Sequence, residues 1–390
     1  MRLTLPATGL SAGLALVMAA MPSGKQRLVR LAARESAAAI IGTDHAAAED
    51  QKAKVQTMSV EISIAATVES AGEVVLDAGR LAGIADHASG DLIMSATDIN
   101  VSIAAGKGRY RLPVLPDPPP ALVLDNEEAS ITITAQDLRR LLEPAACAGR
   151  ESSRFYLQGI CLLSGADGLA SVATDGVRLL RTSVAADRFS DDRKLIIPSK
   201  SVAAIEKLIK RESGMLTLRR NSRLLSIAGS GFTVITKLID FTYPDLTSVL
   251  PAASSDAAVV RRLDLANGLA RLMAAADGEA PLLAIEWAEP GPLHLYLARQ
   301  PENSDLVDGA TAGAALIAVA PHALARLVDE FRGEQLRIEI TNRLAIRGDG
   351  KLGVVASSQW NFTPRASPGA GRTRPPKSAD RQKENANAHV

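Results

Sequence analysis

The residues of this chain that are best suited to a chemical task are basic side chains on one amphipathic segment. In residues 200–211 the apolar side chains recur at helical spacing and leave Lys200, Lys207 and Arg211 on the opposite face, with Lys210 beside them. Such a face can bind phosphates through charge alone. An ordinary solvated helix surface has the same pattern, so both interpretations stay open at this point.

Residue patterns typical of catalysis are absent from the sequence. Gly106-Lys107-Gly108 lacks the spacing of a phosphate-binding loop, and no Gly-x-Ser-x-Gly motif precedes a helix. The five histidines show no metal-ligand spacing. The only cysteines, Cys147 and Cys161, lie in apolar surroundings, which favours two inert thiols in a reducing compartment. We therefore predict a protein with no active site, metal or cofactor of its own.

The composition indicates a globular chain of two or three domains, because 47% of its 390 residues are hydrophobic and 22% are charged. Aromatic residues make up only 3%, so the cores must be built from Leu, Ile, Val and Ala. The formal net charge is +1. Any contact with nucleic acid must therefore come from a local basic face.

A long repeat organises the chain. Helices predicted at residues 79–87, 200–210 and 322–331 each follow an apolar strand, and they recur about 120 residues apart. The residues that hold the same helical position in the three copies are Ile84, Ile205 and Leu327. Each copy reads strand, helix, several strands, strand, helix and further strands. In the third copy these elements are predicted at residues 263–265, 267–276, 282–287, 293–298, 315–319, 322–331, 335–340 and 354–355. This order predicts an α+β fold of three repeated domains, each with two helices packed on antiparallel sheets.

Composition shifts place the boundaries between the repeats. A proline-rich connection covers residues 116–120, and a Pro-, Ala- and Ser-rich stretch covers residues 251–258. An Ala- and charge-rich insert interrupts the first copy at residues 45–54. The end of the chain loses all periodicity and holds Gly, Pro, Arg and Lys. The predicted units are residues 1–126, 127–251 and 252–366, followed by a disordered basic tail at 367–390.

The N-terminus permits two interpretations. Arg2 precedes an apolar run at residues 10–20, which is typical of a signal peptide and is too short to span a bilayer. In that case the chain would be a secreted β-rich binding protein. A first strand at residues 1–5 and a core-facing helix at 8–21 is favoured instead, because the same order recurs twice downstream.

The stretch from Arg154 to Leu180 predicts a β-meander. Strand-forming residues cover 155–163, 169–173 and 177–184, and glycine-containing turns separate them. Spacing alone indicates nothing beyond an ordinary meander.

The residue types in this stretch resemble the middle domain of the bacterial DNA polymerase III β subunit, the sliding clamp. The resemblance rests on Arg154-Phe155-Tyr156-Leu157-x-Gly159 and Val172-Ala173-Thr174-Asp175-Gly176-x-Arg178-Leu179. Further stretches agree in order and distance over about a hundred residues. They are Ile196-Ile197-Pro198-Ser199-Lys200, Thr236-Lys237-Leu238-Ile239-Asp240, Tyr243-Pro244-Asp245 and Val249-Leu250-Pro251.

The resemblance implies the DNA clamp fold, with two copies closing head to tail into a ring around double-stranded DNA. It further implies a non-catalytic, cytoplasmic processivity factor whose partners are the DNA polymerase III catalytic subunit and the clamp loader, with no membrane. An alternative is a divergent interaction module that keeps the fold but no longer serves the replicative polymerase.

Three groups of site residues follow from the resemblance. The implied DNA contacts are Lys25, Arg139, Arg140, Arg154, Phe155, Lys200, Lys207 and Arg211, and Arg271 and Arg326 lie on the corresponding helices of the third copy. The implied peptide cleft consists of Leu157, Thr174, Gly176, Val177, Arg178, Leu179, Pro244 and Val249. The implied subunit edges are Tyr110 and Leu112 on one side and Met273, Ala274 and Ala275 on the other.

The sequence departs from the family pattern at three positions or segments. Ser248 stands where many members hold a basic residue, and Val177 stands where they usually hold His. Clamps commonly end in Val-Val-Met-Pro-Met-Arg, whereas Val354-Val355 is followed here by Ala356-Ser357-Ser358-Gln359. The loss of two methionine side chains predicts a lower affinity of the cleft for peptides. Packing of Trp360 into the wall would offset part of this loss.

Overall fold

The computed structural model describes residues 1–21, 27–47, 54–116, 121–165, 168–277 and 281–359. Residues Met1–Ser358 form one compact unit. The described residues contain six α-helices and two 3-10 helices. The α-helices are α1 (Ala7–Ala20), α2 (Ala78–Asp86), α3 (Ala135–Leu142), α4 (Ser199–Ile209), α5 (Arg262–Ala275) and α6 (Pro321–Val328). The 3-10 helices are Glu143–Cys147 and Ser152–Leu157.

Strands follow and precede each helix, so the predicted repeat of two helices per copy is confirmed. In chain order the strands are β1 (Arg2–Pro6), β2 (Leu28–Arg34), β3 (Ala37–Ala47), β4 (Lys54–Ala65), β5 (Thr67–Ser70), β6 (Gly72–Asp77), β7 (Asp91–Ala96), β8 (Asn100–Ala105), β9 (Gly108–Pro113), β10 (Ala129–Thr134), β11 (Gly159–Gly165), β12 (Gly168–Thr174), β13 (Arg178–Val184), β14 (Leu195–Pro198), β15 (Met215–Arg220), β16 (Leu224–Gly229), β17 (Phe232–Lys237), β18 (Ala257–Arg261), β19 (Leu283–Ala288), β20 (Leu293–Leu297), β21 (Gln300–Val307), β22 (Gly309–Ala312), β23 (Ala314–Val319), β24 (Gln335–Ile340), β25 (Leu344–Gly348) and β26 (Lys351–Val355).

These strands form four antiparallel sheets. A five-stranded sheet has the order β5-β1-β7-β8-β9, and a four-stranded sheet has the order β21-β20-β19-β23. Two larger sheets have the orders β10-β15-β16-β17-β4-β3-β2-β6 and β14-β11-β12-β13-β26-β25-β24-β18-β22. The helices pack beside one another, α1 against α2 and α4, α3 against α4, and α5 against α6. The result is a helix layer on a sheet layer.

The two larger sheets cross the predicted domain boundaries. In the eight-stranded sheet β17 pairs with β4, where Val234 lies opposite Val60. In the nine-stranded sheet β13 pairs with β26, where Leu179 lies opposite Val354. Main-chain hydrogen bonds therefore join successive copies, and the division of the chain at residues 126 and 251 stays a prediction.

The cores are aliphatic, as the composition predicts. Ile205 and Leu327 are fully buried at equivalent helical positions, whereas Ile84 is half-buried. The predicted N-terminal strand and helix are confirmed as β1 and α1, whose Leu10 and Leu14 are fully buried. Burial raises the pKa of both thiols, Cys147 and Cys161, to about 12, so that each is protonated at neutral pH.

One predicted strand starts too early, and another is wrong. The first strand of the meander starts at Gly159, because Ser152–Leu157 forms a 3-10 helix. Only glycine fits at position 159, since a Cβ there would lie 2.3 Å from the Ile197 carbonyl oxygen. The strand predicted at residues 263–265 lies inside α5, and β18 ends just before it.

Other predicted elements are corrected in length or were missed. The insert at 45–54 continues the β3–β4 hairpin at both ends, and residues 48–53 lie outside the described residues. The prediction missed β21, β22 and β25. Exposed Glu302 and Ser304 on β21 show why, since this strand lacks the apolar alternation that marks a half-buried strand. The predicted basic tail lies outside the described residues.

A buried carboxylate anchors the connection between the second and third copies. Glu339 on β24 is 1% exposed and accepts hydrogen bonds from Arg337 Nε at 2.7 Å and Arg347 Nε at 2.9 Å. The same guanidinium groups donate to the carbonyl oxygens of Ser254 and Pro251. Burial opposes ionisation of Glu339, but the two arginines outweigh it and hold the pKa of this carboxyl below its usual range.

We expect the Glu339→Gln variant to unfold at lower urea concentration at pH 7, with a loss of about 1–3 kcal/mol, because a charge-assisted acceptor is removed. The lowered pKa means that the carboxylate stabilises the fold fully above the unfolded value of about 4.3 and loses this effect as the pH falls through the folded value. The difference between the proteins should therefore be constant from about pH 6 to 8 and shrink below about pH 4.

The matched control is Glu334→Gln, whose carboxylate is 80% exposed and lies 3.7 Å from Arg261. We expect it to change the free energy of unfolding by less than about 0.5 kcal/mol. Equal urea midpoints for Glu339→Gln and the unmodified chain at pH 7 would show that the anchor contributes nothing.

Candidate functional site: a basic helix layer and an apolar cleft

Helix α4 has the two faces that its spacing predicts. Val202, Ile205 and Ile209 are buried, Lys200 is exposed, and Arg211 is exposed in the turn that follows the helix. The strand β14 leads directly into the helix, and the Ser199 hydroxyl at its first position donates to the Gln158 carbonyl oxygen at 2.9 Å. This bond ties the start of the basic helix to the loop that carries the 3-10 helix Ser152–Leu157.

Several of the residues predicted to contact DNA form hydrogen bonds with backbone carbonyl groups of the chain itself. Arg139 Nη1 donates to the carbonyl oxygens of Ile209 and Glu212 at 2.7 and 2.8 Å, at the end of α4. Lys207 Nζ donates to the Ala19 carbonyl oxygen near the end of α1 at 2.7 Å. Helix ends leave carbonyl groups without intrahelical partners, and cations satisfy them.

Two more arginines also have partners. Arg140 Nη2 donates to the Asp349 carbonyl oxygen at 2.8 Å, which links the second copy to the third. Arg271 on α5 forms an ion pair with Asp305 on β21 at 2.7 Å. A phosphate would have to compete with these contacts.

Lys200 and Arg211 differ, because neither side chain bonds to another residue that the structure describes. Arg154 is half-exposed and lies 3.5 Å from the Glu151 carboxylate. Phe155 is 46% exposed, and its ring stands edge-on to those of Tyr156 and Phe241. Lys25 lies outside the described residues.

A cavity of about 840 Å³ opens beside the start of α4. Its lining includes more basic than acidic side chains, and the only acids are Glu151 and Asp175. The basic residues are Arg150, Arg154, Arg178, Lys200 and Arg326. Arg150 was missed by sequence reasoning, since it lies in a loop outside both the amphipathic helix and the resembling motifs.

Helix α1 is chemically different from α4. Its 14 residues include no charged side chain, and Thr8, Ala12 and Ala15 are exposed on its surface. The positive charge of the helix layer therefore comes mainly from the second and third copies.

The eight predicted cleft residues surround one smaller cavity of about 290 Å³. Leu157 and Leu179 are buried in its floor, and Val177 is exposed at the rim. Pairing of β13 with β26 brings Val354 and Ala356 to the cavity, and Ala356 N donates to the Val177 carbonyl oxygen at 2.8 Å. The remaining lining residues are Arg154, Tyr156, Leu246 and Arg343. Trp360, predicted to refill this wall, lies outside the described residues.

The turn at the cleft rim is held by its own side chains. Asp175 Oδ1 accepts from the backbone N–H groups of Val177 and Arg178 at 3.0 and 2.9 Å, and Thr174 Oγ1 accepts from Gly176 N at 3.0 Å. Gly176 has φ +93°, which favours glycine. The conformation of the rim is therefore stabilised by the side chains of the turn itself.

The two predicted subunit edges lie on β9, an edge strand of the five-stranded sheet, and on α5, which lies beside β21, an edge strand of the four-stranded sheet. Tyr110 is exposed on β9, whereas Leu112 is buried in the core of its own copy, so only its backbone faces the edge. On α5, Met273 is half-buried and Ala274 and Ala275 are exposed. Helix α5 packs against β21.

The described residues lack two further features. No helix among them has the length and apolar character needed to cross a membrane. No three His, Cys, Asp or Glu side chains in the described ranges come together as a metal site.

Comparison with known proteins agrees with this architecture. Residues 132–245 match the family model described as "DNA polymerase III beta subunit, central domain". The beta sliding clamp of Pseudomonas aeruginosa is 29% identical over 208 residues, which are 51% of this chain and 56% of that protein. The beta sliding clamp of Caulobacter vibrioides is 28% identical over 173 residues, 43% and 46% of the two chains. The match thus spans about half the length of each relative.

The structural similarity is more extensive than the sequence similarity. A crystal structure of a DNA polymerase sliding clamp from Pseudomonas aeruginosa aligns with TM-score 0.80 and 21% identity, covering 92% of this chain and all of the other. The Caulobacter crescentus pol III beta structure aligns with TM-score 0.78 and 20% identity over the same shares. The predicted clamp fold is therefore confirmed.

Proposed function

We propose that this chain, a divergent relative of the bacterial beta sliding clamps, is itself a sliding clamp. Two copies close head to tail into a ring around duplex DNA, and the ring tethers DNA polymerase III as a non-catalytic processivity factor in the cytoplasm. The observation that carries this proposal is that two sheet edges, β9 and β21, pair with no further strand among the residues that the structure describes.

Within the chain, successive copies are joined by sheets of eight and nine strands. The remaining five-stranded and four-stranded sheets each have one edge beside a larger sheet, because β5 contacts β2 and β3 while β23 contacts β24. Their other edges are β9 and β21. Pairing β9 of one subunit with β21 of the next would repeat the same junction between subunits, and such a heterologous contact forms a ring where the rotation between the subunits closes.

The charges of the two edges are complementary. On β9, Arg109 and Arg111 are exposed on the face opposite buried Leu112. On β21, Glu302 is exposed in the irregular segment between the strand pairs Leu297–Gln300 and Tyr296–Ser304. Pairing of the two edges would bring the arginines and the glutamate close together across the junction, which favours association.

The ring proposal predicts a dimer in size-exclusion chromatography with light scattering at micromolar concentration. Reversing one edge with Arg109→Glu and Arg111→Glu should shift the protein towards monomer, because like charges then meet across the junction. Adding Glu302→Arg to that variant should restore part of the dimer. The control, Arg223→Glu, changes an exposed arginine in the β15–β16 turn and should leave the mass unchanged. A monomer for the unmodified chain would contradict ring closure.

The DNA-facing surface in this proposal is the helix layer, centred on Lys200, Arg211, Arg154 and the basic cavity beside them. Contacts of this kind go to phosphates and carry no sequence information, so the ring can slide. Arg139, Arg140 and Lys207 support this surface through their carbonyl contacts, and Lys25 and Phe155 remain further candidates from the family resemblance.

We expect Lys200→Ala with Arg211→Ala to reduce retention on nicked circular DNA and to flatten its salt dependence. Each lost phosphate contact removes roughly 0.9 from the slope of log affinity against log salt. Lys207→Ala is the matched control on the same helix, and its slope should change less because its ammonium group already binds the Ala19 carbonyl oxygen. Rings on linear DNA should be lost from the ends in both cases. An unchanged slope for the double variant would show that this face of α4 does not meet the duplex.

The cleft between β13, β26 and residues 244–249 is the proposed site for the polymerase subunit, the clamp loader and other partners. It combines apolar walls with a few polar groups, as peptide-binding grooves do. The wall on β26 ends in Val354 and Ala356, which are small side chains.

A labelled clamp-binding peptide should bind this chain at least about tenfold more weakly than it binds a clamp that ends in Met-Pro-Met, because buried methionine contacts are missing. Fluorescence anisotropy with both proteins gives the two dissociation constants. Equal affinity would mean that the small-residue wall suffices, whereas no detectable binding would favour the divergent interaction module over a replicative clamp.

A further inference from the structure

The apolar cleft has an unbalanced charge. Three arginines, Arg154, Arg178 and Arg343, line its cavity, and the lining contains no Asp or Glu. An apolar groove with cations and no anion is complementary to an apolar segment that carries a negative charge.

Two of these arginines are neutralised by groups on their own copy. Arg178 Nε lies 3.1 Å from the Asp175 carboxylate, and its Nη2 donates to the Ala146 carbonyl oxygen at 2.8 Å. Arg154 lies 3.5 Å from the Glu151 carboxylate, and both of these side chains are more than half exposed. Their charges are therefore compensated before any ligand binds.

Arg343 is different. Its Nε is buried and has no hydrogen-bond acceptor among the residues that the structure describes. A buried donor without an acceptor is unfavourable, and such groups in native proteins call for a specific explanation. A ligand carboxylate in the cleft that pairs with the guanidinium group would compensate this cost.

The backbone presents Arg343 in a fixed position. Arg343 ends the turn between β24 and β25, where Thr341 N donates to its carbonyl oxygen and the next residue, Leu344, is fully buried. The Ser357 hydroxyl donates to the Asn342 carbonyl oxygen at 3.0 Å, which ties the turn to the segment that leaves the cleft wall. Binding therefore does not have to order this part of the backbone.

We propose, building on the proposed role of the cleft, that Arg343 is a specificity-determining residue that pairs with a carboxylate of the bound peptide. The cleft then selects an apolar segment flanked by Asp or Glu over the same segment flanked by neutral residues. The planar guanidinium presents parallel N–H donors that match the two oxygens of a carboxylate, which a lysine ammonium cannot reproduce.

The test is fluorescence anisotropy of the full-length protein with labelled nine-residue peptides that contain adjacent leucine and phenylalanine. A single Glu is placed at each flanking position in turn, and each peptide has a partner with Gln at that position. At the best position we expect the Glu peptide to bind about tenfold more tightly than the Gln peptide. Added salt should reduce this ratio, because the pair is partly open to solvent.

In Arg343→Gln the ratio should fall to about one, and in Arg343→Lys it should be intermediate. Arg223→Gln, which removes an exposed arginine outside the cleft lining, should keep the wild-type ratio. Because the ratio compares two peptides on one protein, a general loss of folded material cancels.

A ratio of about one at every position in the unmodified chain, or a tenfold ratio that persists in Arg343→Gln, would overturn the assignment of Arg343 alone. Failure of every peptide to bind would contradict the peptide-binding role of the cleft as well. Ring closure and DNA retention do not depend on this experiment.

Discussion

Antiparallel pairing across the copy boundaries is the interaction on which the rest of this structure depends. The pairs β17–β4 and β13–β26 make two continuous sheets out of three repeats, so the orientation of each copy is set by a ladder of main-chain hydrogen bonds. A ladder restricts register strongly, since a slip of one residue would exchange Val354, on the cleft side of the sheet, with Val355, which lies in the core of the third copy.

The helix layer shows how charge is divided between assembly and binding. Arg139 and Lys207 satisfy carbonyl groups at the ends of α4 and α1, and Lys207 does so across a copy boundary. Lys200 and Arg211 on the same surface remain available for phosphates. A basic residue in this helix layer therefore need not be available to the duplex of the proposed ring, and α1 shows that a helix of this layer can lack charge entirely.

Periodicity was sufficient to predict the helices and most strands, because each buries one regular face. It failed at residues 155–157, where the side chains are typical of a strand but the backbone forms a 3-10 helix. In this conformation Leu157 lies in the floor of the cleft, and Gly159 packs closely against Ile197. It also failed for β21, whose exposed face is polar. The eight cleft residues were predictable only through their resemblance to a family, since Pro244 and Val249 are far from Thr174 in sequence. Arg343 belongs to no motif, and only the three-dimensional arrangement places it beside them.

The cleft lies at the junction between the second and third copies, where β13 pairs with β26. Its floor comes from the second copy, through Leu157 and Leu179, and its wall comes from the third copy, through Val354 and Arg343. The connection that supplies Pro244 and Val249 continues to Pro251, whose carbonyl oxygen is held by Arg347 and through it by Glu339. Because both sides of the junction contribute to one pocket, a peptide bound there as we propose would contact the two copies at once and stabilise their pairing by its own binding free energy. Such binding would be thermodynamically linked to the geometry of the junction.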